Sequence, residues 1–296
     1  IMLLAMLFFG GAAVMALLAG LGLLFYFWFQ INAGMYSPRF AEPHTLAAAE
    51  PGATRWGWSL DPQGRLIWLE TVAVFLVGFL TLRVSSEVLA SSFPNSVWMA
   101  FYTLIGQWLL VFTIFWPIVR GMPFQRWRGE IGWHRGKGFF REAGAGMMVY
   151  LASLPIYFLV ALLVVAITIW ADSYGWNIAP DAEDNKIIDL AGSGNPLVLL
   201  LVFLLATIWA PVVEESIFRG ALYRHSRWRF SAAFSGIFTA VVFAIMHGYA
   251  PLQLVMVFVL GLIFAVMREW RGSIIGPVWA HFFHNFIVLT VGAVLV

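Results

Sequence analysis

The 296-residue chain has no cysteine, which excludes disulfide frameworks, cysteine-ligated zinc, iron–sulfur clusters and thiol nucleophiles together. Charge is nearly as scarce. Asp, Glu, Lys and Arg make up 11% of the residues, whereas a soluble domain carries about 25%. Too few polar side chains remain to cover a water-facing surface. Neither sign dominates, with 17 Lys and Arg against 15 Asp and Glu, so the net charge gives no footprint for nucleic acid. What the chain has instead is hydrocarbon: 61% hydrophobic residues, including 27 Phe and 15 Trp. Its natural solvent is a bilayer, whose lipids are its expected partners.

A spanning helix needs roughly 20 mostly apolar residues, and eight such runs stand out, at 3–28, 66–82, 97–119, 144–170, 196–218, 231–247, 251–267 and 273–294. The expected fold is an all-α polytopic membrane bundle of about eight helices. It reads as one integral membrane domain over 1–296, with N-terminal spans in 1–142 and the polar motifs in 143–296. The first run lacks the charged leader of a signal peptide, and a chain beginning at Ile1 reads as trimmed. Alternating spans put loops 31–65, 120–142, 219–230 and 268–272 on one side, where 15 of the 17 Lys and Arg fall. By the positive-inside rule that side is expected to be cytoplasmic, in an inner or plasma membrane, with both termini outside. The six cations of 120–142 are accounted for by topology, with contact to anionic headgroups or an acidic substrate segment as an alternative.

Intramembrane ionisable residues are expensive and face a protein interior or a hydrated cavity. The first four spans hold few, Glu70 being the clearest, with Gln107 a neutral polar residue in the same half. The last four hold three groups. In Pro211-Val-Val-Glu214-Glu215-Ser-Ile-Phe218-Arg219-Gly220, the adjacent carboxylates lie about 100° apart on a helix. Glu215 can pair with Arg219 four residues on. Two carboxylates in unequal surroundings invite separate roles. Phe243 and His247 form the second group. His281 and Asn285, also four apart, offer two hydrogen-bonding groups in one direction, as an oxyanion would need. His284 reads as a helper or packing residue. For the groups to meet at one depth, the helix starting at Asn195-Pro196 must run on to Arg227, with a kink expected at Pro211 and a cavity open towards the basic side.

These three ordered motifs, Glu-Glu-x-x-x-Arg, Phe-x-x-x-His and His-x-x-x-Asn, resemble those of the CAAX prenyl protease and bacteriocin-processing (CPBP) family, which includes the Ras-converting endopeptidase. The resemblance covers roughly 196–290. It implies an intramembrane endopeptidase acting on a membrane-attached protein or peptide. Glu214 and His247 would activate water, His281 and Asn285 would stabilise the oxyanion, and Glu215 and Arg219 would organise the site. No metal or other cofactor is expected. A divalent ion such as zinc, if used, would fall to Glu214, His247 and His281, although the His-Glu-x-x-His helix signature is missing. Two other readings compete: a non-catalytic protein of the same fold, serving as immunity or regulatory factor or as scaffold in a larger membrane complex, and an ion-coupled transporter.

Overall fold

A computed structural model describes residues 2–32, 66–93, 96–176 and 195–295. The loop 33–65 and the acidic segment with Asp181, Glu183, Asp184 and Asp189 lie outside them. Among the described residues there are helices and turns and no strand. The chain is an all-α polytopic membrane protein. Among the described residues six helices are long and apolar enough to cross a bilayer, and two more are apolar but shorter.

In chain order the helices are α1 (Met2–Asn32), α2 (Leu66–Ser92), α3 (Val97–Leu109), the short α4 (Phe124–Ile131), which is not a span, α5 (Phe139–Ser173), α6 (Pro196–Arg227), α7 (Ala232–Met246), α8 (Pro251–Arg271) and α9 (Ile275–Leu295). After α3 the chain continues through a 3₁₀ stretch, Leu110–Phe115, into a last helical turn, Trp116–Val119. Several boundaries exceed the apolar runs, because a helix continues past the hydrocarbon wherever its backbone bonds continue. The second span is one example: it extends to Ser92, so Arg83 lies inside α2 and not in a loop.

Local chemistry explains the ends of the motif-bearing helices. The Asn195 side chain accepts from the Leu197 and Val198 N–H groups at 3.0 and 3.4 Å, and Pro196 takes the first helical position. Ser231 caps α7 through the Phe234 N–H. Gly272, at φ 68°, closes α8 in the left-handed conformation that glycine adopts at no steric cost.

The core collects around the middle of α6, where Val213 and Ile217 are fully buried and Phe218 nearly so, against Phe75 of α2, Trp127 and Ile131 of α4, and Phe243 of α7. Outward faces are apolar, as a lipid-facing surface requires: Phe25, Leu159 and Ile169 are all about two-thirds exposed.

Helix α4 lies within the basic loop and closes that end of the bundle. Its Glu130 pairs with Arg126 and with Arg224 of α6, at 2.7 and 3.1 Å. Glu142 holds Arg271, Glu269 holds Arg227, and Glu70 holds Arg120. Ser273 donates to the carbonyls of Gly132 and His134, and the Trp133 indole donates to Ser216 in the middle of α6. Many of the loop cations are therefore parts of a folded plug.

Candidate active site

Helix α6 carries the site, and it is not a regular α-helix. Two π-helical stretches interrupt it, Leu205–Trp209 and Glu215–Leu222. Such wide turns are rare and concentrate at functional sites. The first accommodates Pro211. The Ala210 N–H reaches back five residues to the Leu205 carbonyl. Residue 211, which at that spacing would bond to the Ala206 carbonyl, is a proline without an N–H. The Asn285 amide of α9 supplies the missing donor, 2.7 Å from the Ala206 oxygen.

The second wide turn holds the charges. Arg219 Nη1 lies 3.0 Å from Glu215 Oε1, and neither side chain has any exposure. The same oxygen takes His281 Nδ1 at 3.0 Å. The second Arg219 nitrogen donates to the Gly261 carbonyl at 3.0 Å, and the guanidinium lies 4.3 Å from the Phe243 ring centre. A buried pair is held by the partners that its remaining protons and lone pairs find; α8 and α9 supply one each here, while Glu215 Oε2 and Arg219 Nε are left without one.

Glu214 faces the other way. Its side chain is 17% exposed, and its Oε2, 4.0 Å from His281 Nε2, has no hydrogen-bond partner. It lines a cavity of about 160 Å³ with His247, Trp209, Gln107 and Arg83, between walls of Phe75, Phe79, Phe218 and Met246. That volume has room for several water molecules. Arg83 stands half-exposed at the rim, close against Gly248. A Cβ on Gly248 would sit 2.7 Å from an Arg83 nitrogen, and the φ of 64° there also favours glycine. The cavity thus lies towards the far ends of α2 and α7, while α4 and the 132–138 segment close the basic end. The expected opening towards the basic side is not what the fold provides.

Hydrogen bonding fixes the imidazoles. Phe243's carbonyl, 2.8 Å from His247 Nδ1, and the Glu215 carboxylate, 3.0 Å from His281 Nδ1, are both acceptors, so each Nδ1 carries a proton. In the neutral rings Nε2 is then an acceptor. His284 stands apart, edge-on to the Tyr150 and Tyr157 rings of α5.

Glu214, Glu215, Arg219 and His281 are thus brought together, and His247 shares a cavity with Glu214. Asn285 is adjacent, but its amide is committed to the backbone of α6. Among the described residues no three His, Asp or Glu side chains converge as a metal ion would require, so Glu214, His247 and His281 do not fit as a ligand set in this arrangement.

Residues 196–287, the stretch that supplies every one of these motifs, match the family described as Type II CAAX prenyl endopeptidase Rce1-like. The chain carries an Rce1-like domain. The match supports a CAAX-type protease family for this stretch, and the spans before residue 196 lie outside it. No curated protein and no solved structure matches the chain.

The motif search missed Trp209 and Arg83 as residues lining the cavity of the Rce1-like site. On an ideal helix Trp209 and Glu214 would point about 140° apart, so a 3.6-residue period does not group them. The usable signal was Pro211 between them, because a proline inside a helix demands a local rearrangement.

Proposed function

We propose that the Rce1-like domain hydrolyses a peptide bond of a membrane-attached protein or peptide, with Glu214 and His247 activating water. The observation that carries this reading is the division between the two adjacent carboxylates. Glu215 is sealed in an ion pair with Arg219 and His281, whereas Glu214, whose Oε2 has no hydrogen-bond partner, lines a cavity that it shares with His247. A water between these two acceptors gives up a proton as its oxygen attacks the scissile carbonyl carbon. The carboxyl then returns that proton to the departing amine nitrogen as the C–N bond breaks. Glu215 and Arg219 position His281 and the wide turn that aims Glu214.

The apolar walls and the closed basic end favour a substrate approaching within the bilayer or from the far ends of α2 and α7. The test is cleavage of a lipid-anchored peptide by the protein in proteoliposomes, read by mass spectrometry. Glu214→Gln and His247→Ala are each expected to slow cleavage by about 10²-fold or more. Wild-type rates in both variants would refute the assignment, and they would leave a non-catalytic scaffold as the better account.

A further inference from the structure

A tetrahedral oxygen needs donors, yet the unpartnered Glu214 oxygen is an acceptor, and His247 and His281 already direct their Nδ1 protons to the Phe243 carbonyl and the Glu215 carboxylate. The Asn285 amide already bonds to the Ala206 carbonyl. The Trp209 indole is different. Its side chain lines the cavity, is only 2% exposed, and its Nε1–H has no partner. An indole N–H can only donate, and a buried donor left unmade costs about 1–3 kcal/mol. Such an orphan on a residue that lines a cavity with room for water is accounted for if the missing acceptor arrives with the ligand.

Two other donors line the same space. Arg83 sits at the rim, half-exposed and 3.5 Å from Glu87, where water screens its charge. Gln107 is a half-buried amide that can rotate to offer either end. Only Trp209 combines full burial, a fixed donor and a place on the helix that carries Glu214. It ends the wide turn at Leu205–Trp209, and it lines the cavity together with Glu214.

The geometry points to Trp209 as a catalytic residue that donates its indole N–H to the carbonyl oxygen of the scissile peptide bond, and more strongly to the oxyanion formed from it. This rests on the hydrolytic reading above. No proton is transferred by the indole, which remains N–H throughout.

The test replaces the indole by its sulfur isostere, Trp209→3-benzothienylalanine, which keeps the shape and removes the donor; Trp209→Phe is the second variant. Cleavage of the lipid-anchored peptide is measured beside thermal unfolding. The isostere is expected to lower kcat by about 10²–10³-fold, with KM and the unfolding midpoint near wild type, and to weaken a peptide aldehyde inhibitor by a similar factor. A wild-type kcat in the isostere overturns the inference. So does a loss that follows a lowered unfolding midpoint in both variants, or a loss confined to Gln107→Leu. If Glu214→Gln abolishes cleavage while the isostere cleaves normally, only the role of Trp209 fails. If wild type shows no Glu214-dependent cleavage, the hydrolytic reading fails and takes this inference with it.

Discussion

Replacing Arg219 by Met removes the cation from a site where its partner cannot reach water. Glu215 has no exposure, and its Oε1 is shared between Arg219 and His281 while Oε2 has no partner. Breaking such a pair from one side costs about 3–5 kcal/mol. The Gly261 carbonyl also loses its donor, and an unmade buried bond adds roughly 1 kcal/mol or more. Met fills most of the stem volume, so no large cavity term is added. The expected loss for Arg219→Met is thus about 4–6 kcal/mol, on the sum of those two terms. Adding Glu215→Leu removes the stranded carboxylate, and the double variant is expected to recover about 2–3 kcal/mol of that loss, since an apolar pair often substitutes for a buried ionic one. The assay is reversible unfolding in mixed micelles on titration with a denaturing detergent, followed by tryptophan fluorescence. A double variant no more stable than Arg219→Met would refute the claim that the uncompensated charge dominates. So would a single-variant loss under about 1 kcal/mol, the range of a weak exposed pair.

Two further outcomes follow from named bonds. Asn285→Ala strands the Ala206 carbonyl and is expected to lower stability by about 1–3 kcal/mol; the same substitution in a Pro211→Ala background, where residue 211 regains an N–H, is expected to be milder, and equal losses in both backgrounds would contradict the donor assignment. His134, outside the spans, accepts from the Gly136 N–H at 3.3 Å and contacts the Gly272 carbonyl at 2.9 Å. Burial first, and then the Arg268 charge, lower its pKa below 6.5. The unfolded chain therefore takes up a proton more readily than the folded one, so stability holds above about pH 6.5 and falls as the pH drops towards the folded value. His134→Gln should flatten that acid limb in unfolding midpoints measured between pH 7 and 5, and an unchanged slope would exclude His134 as its source.

The limits of what a linear pattern carries are visible in α6. Hydropathy located the spans because a bilayer imposes a length on apolar runs. The i,i+4 rule found Glu215 and Arg219 because their pairing is local. The need for the motifs to meet at one depth extended the helix to Arg227, where it ends. The rest of the site depends on contacts between distant segments. Nothing in the 120–142 run announces that α4 folds inward to bury Trp127 and Ile131 and close the basic end; its charge count was read as topology, and the structure adds that Glu130 pairs with Arg126 of the same run and with Arg224 of α6. Asn285 is the sharper case. Its spacing from His281 suggested a second donor for an oxyanion, but Pro211 leaves a carbonyl on α6 without an N–H, and Asn285 answers that demand first. That bond uses one of the two N–H groups of the amide, whereas the Trp209 indole has a single N–H and no partner for it. The proline in α6 thus draws the Asn285 amide towards the backbone, while Trp209, two residues before it and with its N–H unengaged, lines the cavity together with Glu214.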